Sequence, residues 1–81
     1  MIARRRRGTV VRACLVIYEK DWLSWGAYVP DLPACVAAAD TREEVETLIR
    51  DAIRFHIEGL RLHGEPIPEA TTDAGRVRVA A

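Results

Sequence analysis

Residues 41–64, TREEVETLIRDAIRFHIEGLRLHG, contain the strongest helix signal in the chain, and this signal decides how the rest of the chain can fold. Thr41 and Glu44 match the capping box, a pair of side chains that hydrogen-bonds the first turn of a helix. Gly64 is placed to end the helix, and two prolines follow it. Between these ends, one stripe of apolar residues recurs at helical spacing: Val45, Leu48, Ile49, Ala52, Ile53, Ile57 and Leu60. The pattern predicts one long helix that covers one face of a sheet.

Three strands are predicted upstream of this helix. Residues 9–18, TVVRACLVIY, are rich in β-branched side chains and apolar on both alternating faces, which is typical of a central strand. Residues 24–29 form a hairpin with this strand, and two prolines then turn the chain into a third strand over residues 35–39. The three strands form an antiparallel meander.

One helix can cover only one face of this sheet, so the other face of the first strand needs a separate cover. The residues that we expect on this uncovered face are Val10, Cys14, Val16 and Tyr18. A second copy of the chain is the simplest cover, and we therefore predict a homodimer or homotetramer.

Residues 65–75 form a linker rich in proline, threonine and glycine, after which residues 76–79 have a short strand pattern. A strand that follows a helix usually lies parallel in the same sheet, through a right-handed crossover. We therefore expect an α+β fold of order β-β-β-α-β, with the fourth strand parallel to the first. The chain divides into an N-terminal arm, residues 1–8, and a single domain, residues 9–81.

Composition and charge exclude several classes of protein. The 81 residues are 49% hydrophobic and 30% charged, which indicates one globular domain. The net charge of zero gives no overall field for binding nucleic acid or a membrane. No apolar run is long enough to span a membrane and no signal-peptide pattern is present, so we expect a cytoplasmic protein.

The N-terminal arm carries a block of four arginines: Arg4, Arg5, Arg6 and Arg7. Such a block is usually a solvated arm, and phosphate binding is the alternative.

The sequence contains no recognisable catalytic motif and no set of residues at the spacing of metal ligands. His56 and His63 are seven residues apart, about 10 Å along a helix, which is too far for one metal ion. Cys14 and Cys35 each lie in an apolar run and read as buried small side chains. The expected order of elements matches the front half of ribonuclease H, but neither the first nor the fourth strand contains the carboxylates of a two-metal nuclease. We predict a protein that is not an enzyme and has no cofactor.

Several separated blocks carry a resemblance to one family. Glu19, GAYVPDLPAC at 26–35, DTREEV at 40–45, EGL at 58–60 and GEPIP at 64–68 follow one another in the order of the HicB antitoxins. The chain resembles that family over residues 10–79, although Ala34 stands where the family usually has glycine. The resemblance implies a partial ribonuclease H fold without its active site, which binds and inhibits a HicA-like toxin that cleaves mRNA.

Many family members add a C-terminal DNA-binding segment, whereas this chain ends soon after the last predicted strand. We therefore expect weak or indirect nucleic-acid binding and no direct recognition of operator DNA.

Two sets of residues are candidates for binding a partner. Aromatic anchors are typical of protein interfaces, and acidic side chains can pair with the basic surface of an RNA-binding toxin. The candidates are Glu19, Asp21, Trp22, Trp25, Tyr28 and Asp31, with Glu43 and Glu44 as further acidic residues. For Trp25 the alternative is burial in the core, and for Asp31 it is capping of a local turn. The alternative function is an orphan HicB-like oligomer that binds nucleic acid through its arginines: Arg4, Arg5, Arg6 and Arg7, with Arg12, Arg76 and Arg78.

Overall fold

Three strands and one helix make up the structured part of the chain. The computed structural model describes residues 13–81, so the arginine block and the start of the predicted first strand lie outside the described residues. The elements are β1 (Ile17–Lys20), β2 (Trp25–Val29), β3 (Leu32–Ala39) and α1 (Arg42–Leu62). The strands form one sheet of order β1-β2-β3, and both pairs are antiparallel. The predicted meander followed by a helix is confirmed.

The strand bounds differ from the predicted ones because β2, at five residues, limits the length over which β1 can pair. In β1, Ile17 pairs with Tyr28, and β2 ends one residue later, before a proline. The apolar residues that precede Ile17 therefore have almost no β2 backbone to pair with. In contrast, β3 starts earlier than predicted, because the turn after β2 is so short that Val29 pairs with Leu32.

Both ends of α1 are built as the sequence predicts. At the start, the Thr41 hydroxyl oxygen accepts a hydrogen bond from the Glu44 backbone N–H (3.1 Å). The Glu44 carboxylate accepts from the Thr41 hydroxyl (3.1 Å) rather than from its backbone. At the end, Gly64 has a φ of 67° and donates to Arg61 O (3.1 Å), and the Glu65 N–H donates to Leu60 O (2.8 Å). These two bonds form a Schellman motif, which left-handed glycine permits.

The core lies between α1 and one face of the sheet. Its buried side chains are Ala27, Val29, Leu32, Cys35, Val45 and Ile49. Cys14, Val16 and Tyr18 pack against the same core. The expectation that these three need cover from a partner is wrong, because the helix already lies on their side of the sheet; Val10 lies outside the described residues.

Leu48 also departs from the prediction, since 47% of its surface is exposed. The buried stripe advances in steps of four, from Val45 through Ile49 and Ile53 to Ile57. Each step rotates about 40° around the helix and leaves Leu48 on the flank.

Residues 65–81 contain no regular secondary structure, so the predicted fourth strand is absent from this part of the chain. Val77 and Val79 are both exposed. Alternation of two valines favours a strand only if a sheet edge pairs with it, and this segment makes no such pair. Among residues 13–81, the expected β-β-β-α-β order is thus reduced to β-β-β-α.

Candidate protein-binding surface

The face of the sheet that points away from α1 carries a row of apolar side chains. Antiparallel pairing places Ile17 opposite Tyr28, and Tyr28 opposite Val36. Tyr28 is 40% exposed and Val36 is 63% exposed, whereas their neighbours along the strands face the core. No helix in residues 13–81 covers this row, which we call the outer row. Exposed apolar side chains that are contiguous across strands are typical of an interaction surface.

A carboxylate borders the outer row on the side of the β1–β2 hairpin. Glu19 pairs with Gly26, which pairs with Ala38, and residues two apart on a strand share a face. The exposed Glu19 side chain therefore lies beside Ile17 and diagonally from Tyr28. The outer row combines an apolar centre with an acidic edge.

The hairpin loop next to this edge is organised by Asp21. Its Oδ1 accepts hydrogen bonds from the Leu23 N–H (2.8 Å) and the Ser24 N–H (2.8 Å). These backbone hydrogen bonds hold the pKa of the Asp21 carboxyl below its ordinary value. The loop presents Trp22 with 93% of its surface exposed, and Leu23 is also exposed. Asp21 therefore shapes the loop, and Trp22 is its most prominent apolar side chain.

Trp25 lies on the opposite face of the sheet, toward the helix. It is half-buried and packs against the core. The Arg42 guanidinium carbon lies 3.5 Å from the ring centroid of Tyr18 and 6.0 Å from that of Trp25. Arg42 also lies 3.7 Å from the Glu46 carboxylate. A cation held over an aromatic ring is stabilising, so Arg42 joins the helix start to the sheet.

Asp31 lies at the other end of β2 and holds the C-terminal segment. Its Oδ1 accepts hydrogen bonds from the Thr72 hydroxyl (2.7 Å) and the Thr71 hydroxyl (3.3 Å), and its Oδ2 accepts from the Thr72 N–H (3.2 Å). The Thr72 hydroxyl, followed by the Thr72 N–H, holds the pKa of the Asp31 carboxyl below its ordinary value. We call these three residues the threonine clasp.

The structure thus divides the sequence-predicted candidates among separate places. Glu19 and Tyr28 lie on the outer face of the sheet, and Trp22 lies in the adjacent hairpin loop. Glu43 is exposed in the first turn of α1, away from the outer row. The other candidates face the core or are engaged in internal hydrogen bonds: Asp21, Trp25, Asp31 and Glu44.

Sequence reasoning missed Ile17 and Val36 as members of the surface. Their alternation was visible in the sequence, but only the register places them on either side of Tyr28.

Residues 13–81 contain neither a metal-ligand cluster nor a membrane-spanning helix. No cluster of three or more histidine, cysteine or acidic side chains in this range could hold a metal ion. No helix in the same range is both long and apolar enough to cross a membrane.

Comparison with known proteins identifies relatives over part of the chain. One is a 14.9 kDa protein from the rep-hol intergenic region of Haemophilus phage HP1, which is 43% identical over 42 residues. Another is a UPF0150 protein of Thermoplasma acidophilum, which is 45% identical over 40 residues. The matches cover 52% and 49% of this chain, and 32% and 58% of the relatives' own lengths. No solved structure matches the chain significantly.

A family model matches much more of the chain than either relative does. The model describes HicB-like antitoxins of bacterial toxin–antitoxin systems, and it matches residues 14–78. This range contains the whole sheet, the helix and the threonine clasp. The chain therefore belongs to the HicB-like antitoxin family.

Proposed function

We propose that this chain neutralises a HicA-type toxin that cleaves mRNA, by forming a protein–protein complex that covers the active site of the toxin. The family membership supplies the class of partner, a toxin. The chain itself acts without catalysis, in the cytoplasm, where the toxin meets mRNA. It also associates with itself, as a homodimer or homotetramer.

The outer row is the observation that carries this proposal. Ile17, Tyr28 and Val36 form an apolar centre on a face without a helix, and Trp22 extends it at the hairpin. Partly exposed tyrosine and tryptophan side chains contribute most to many interfaces, because they bury a large area at a small cost in conformational entropy.

The acidic edge supports the same partner. A surface that binds mRNA is basic, because it neutralises phosphates. Glu19 borders the outer row and provides an opposite charge for such a surface. Opposite charges at the rim speed association and favour the correct partner over others. Among the sequence-predicted candidates, Glu19, Trp22 and Tyr28 make the direct contacts, whereas Asp21 holds the loop that presents Trp22.

Co-expression of the chain with a HicA-type toxin tests this proposal. Wild type is expected to restore growth and to form a complex with the toxin. Tyr28→Lys places a charge in the centre of the outer row and is expected to weaken the complex by at least about tenfold. Val79→Lys makes the same change in charge at an exposed valine that belongs to no strand and is expected to behave as wild type.

Two results would contradict the proposal. If the wild-type chain neither binds the toxin nor restores growth, the partner is wrong. If Tyr28→Lys binds as tightly as Val79→Lys, the outer row is not the docking surface.

A further inference from the structure

The segment that follows α1 returns to the sheet and is attached there at two points. Ile67 is half-buried, and with Pro68 it lines a small crevice whose other wall includes Leu32 and Ile57. A few residues later, the threonine clasp binds the same segment to the turn between β2 and β3. We call residues 67–72 the C-terminal strap. Its attachment has an apolar end at Ile67 and a polar end at the clasp.

The polar end consists of a carboxylate that is bound by neutral donors. Asp31 is partly exposed, and it accepts from two hydroxyls and one backbone N–H. Both ion pairs of residues 13–81 lie within α1, so neither involves Asp31. A guanidinium binds both oxygens of a carboxylate through two parallel hydrogen bonds and adds the attraction of opposite charges. The Asp31 carboxylate is therefore a stronger acceptor for a cationic side chain than for the threonines.

The turn that carries Asp31 lies within reach of a protein docked on the outer row. Asp31 follows Tyr28 by three residues, so their Cα atoms are at most about 11 Å apart. An interface of ordinary size covers about 800 Å² on each partner, which corresponds to a disc of about 16 Å radius. A partner centred on Tyr28 therefore extends over this turn. A toxin that binds mRNA presents basic side chains to it, because its surface neutralises phosphates.

We propose that Asp31 changes partners when the toxin binds: a cationic side chain of the toxin binds its carboxylate in place of Thr71 and Thr72, and the C-terminal strap is released at its polar end. This inference rests on the proposed function and adds Asp31 to the contacts of the outer row. The clasp is then an autoinhibitory contact, since it occupies the carboxylate in the free chain. Because coupling between two binding events is reciprocal, weakening the clasp strengthens toxin binding.

Two ways of breaking the clasp have opposite consequences for toxin binding. A double variant, Thr71→Val with Thr72→Val, removes both hydroxyls and leaves the carboxylate free for the toxin. Asp31→Ala removes the carboxylate itself. The valine variant is expected to lower the dissociation constant of the toxin complex by about fivefold, and Asp31→Ala to raise it by at least about fivefold. A clasp that only braces the fold would change toxin binding in the same direction in both variants.

Titration calorimetry of the purified chain with a catalytically inactive HicA-type toxin measures these affinities. Asp73→Ala is the matched control for Asp31→Ala, since the Asp73 carboxylate accepts only a local bond from the Ala74 N–H. Thr47→Val is the control for the valine variant, because the exposed Thr47 hydroxyl donates only within α1, to Glu43 O (3.3 Å). Both controls are expected to bind the toxin as wild type does.

Hydrogen exchange at the Thr72 amide follows the strap directly. This amide donates to Asp31 Oδ2 (3.2 Å) in the free chain. Binding of a partner ordinarily slows exchange in the segments that it covers, whereas release of the strap makes the Thr72 amide exchange faster in the toxin complex than in the free chain. The valine variant and Asp31→Ala are each expected to show fast exchange at this amide already without toxin.

Three results would each overturn the change of partners. These are exchange at the Thr72 amide that is unchanged or slower in the complex, a valine variant that binds the toxin no more tightly than Thr47→Val, and an Asp31→Ala variant that binds as tightly as Asp73→Ala. If wild type binds the toxin in any of these cases, the proposed function stands and only the role of Asp31 is wrong. A wild-type chain that binds no toxin would contradict both.

Discussion

At the scale of single residues, Asp31 makes contacts that are remote in sequence. Its carboxylate accepts hydrogen bonds from Thr71 and Thr72, forty and forty-one positions downstream. Nearby, Ile67 is half-buried, whereas residues 68–81, which include both threonines, are exposed. The threonine clasp therefore fixes the C-terminal segment against the turn between β2 and β3, although this segment belongs to no strand.

Removal of the Asp31 carboxylate should release the C-terminal segment. In Asp31→Ala, we expect faster hydrogen exchange at the Thr72 amide, because that amide donates to Asp31 Oδ2. Asp73→Ala is the matched control, since the Asp73 carboxylate accepts only a local bond from the Ala74 N–H (2.9 Å). Exchange at Thr72 that is equally slow in both variants would contradict the role of the clasp.

The clasp should also depend on pH. Hydrogen bonds from Thr72 and Thr71 lower the pKa of Asp31 below its ordinary value of 3.8. A carboxyl whose pKa is lowered by folding stabilises the folded state fully above its unfolded pKa, and this stabilisation is lost as the pH falls through the lowered value. Protection of the Thr72 amide should therefore be constant near neutral pH and decrease only below about pH 4. Loss of protection already near pH 6 would argue against Asp31 as the cause.

At the scale of the element, α1 contains two glycines with opposite roles. Gly64 adopts a φ of 67° and ends the helix, whereas Gly59 lies inside the helix with open space around it. An alanine is more stable than a glycine in a helix interior but is strained at positive φ.

Substitution of each glycine by alanine should therefore change stability in opposite directions. Gly59→Ala is expected to raise the free energy of unfolding by about 0.5–1 kcal/mol, and Gly64→Ala to lower it by about 1 kcal/mol. Urea denaturation measures both. Each variant is measured at two protein concentrations, so that a change in self-association is separated from a change in the stability of the fold. A destabilising Gly59→Ala would show that its position in the helix is more crowded than the structure indicates.

The elements that the sequence predicts best are those with local signals. The capping box and Gly64 place both ends of α1, because the groups that they bond lie within five residues. The bounds of β1 depend instead on where β2 ends, and the fourth strand depends on a sheet edge to pair with. For the same reason, the outer row could not be assigned from alternation alone, since the register decides which face the helix covers.

At the scale of the whole molecule, the protein has a small core with apolar surface on two sides. Six residues of the described chain are buried and hydrophobic, whereas Val36, Phe55 and Leu62 are largely exposed. A domain of this size buries a small share of its surface, so its stability margin is thin. The association that we propose would therefore add to the stability of the fold.

Thermal unfolding should reveal this coupling. If the folded chain dimerises and the unfolded chain does not, the midpoint of unfolding rises with protein concentration. We expect this rise for wild type, with scanning calorimetry at several concentrations as the measurement. If the unfolding midpoint of wild type does not depend on protein concentration, self-association does not contribute to the stability of the fold, and the prediction is wrong.

The thiol of Cys35, buried between β3 and α1, gives the protein an internal chemical reporter. Burial raises the pKa of this thiol, and the nearby Cys14 raises it further, so the reactive thiolate is disfavoured while the helix is docked. An alkylating reagent should therefore modify Cys35 only when α1 separates from the sheet. The rate of modification at Cys35, resolved by mass spectrometry from that at the half-buried Cys14, would measure how often the helix opens and how much toxin binding or self-association slows that opening.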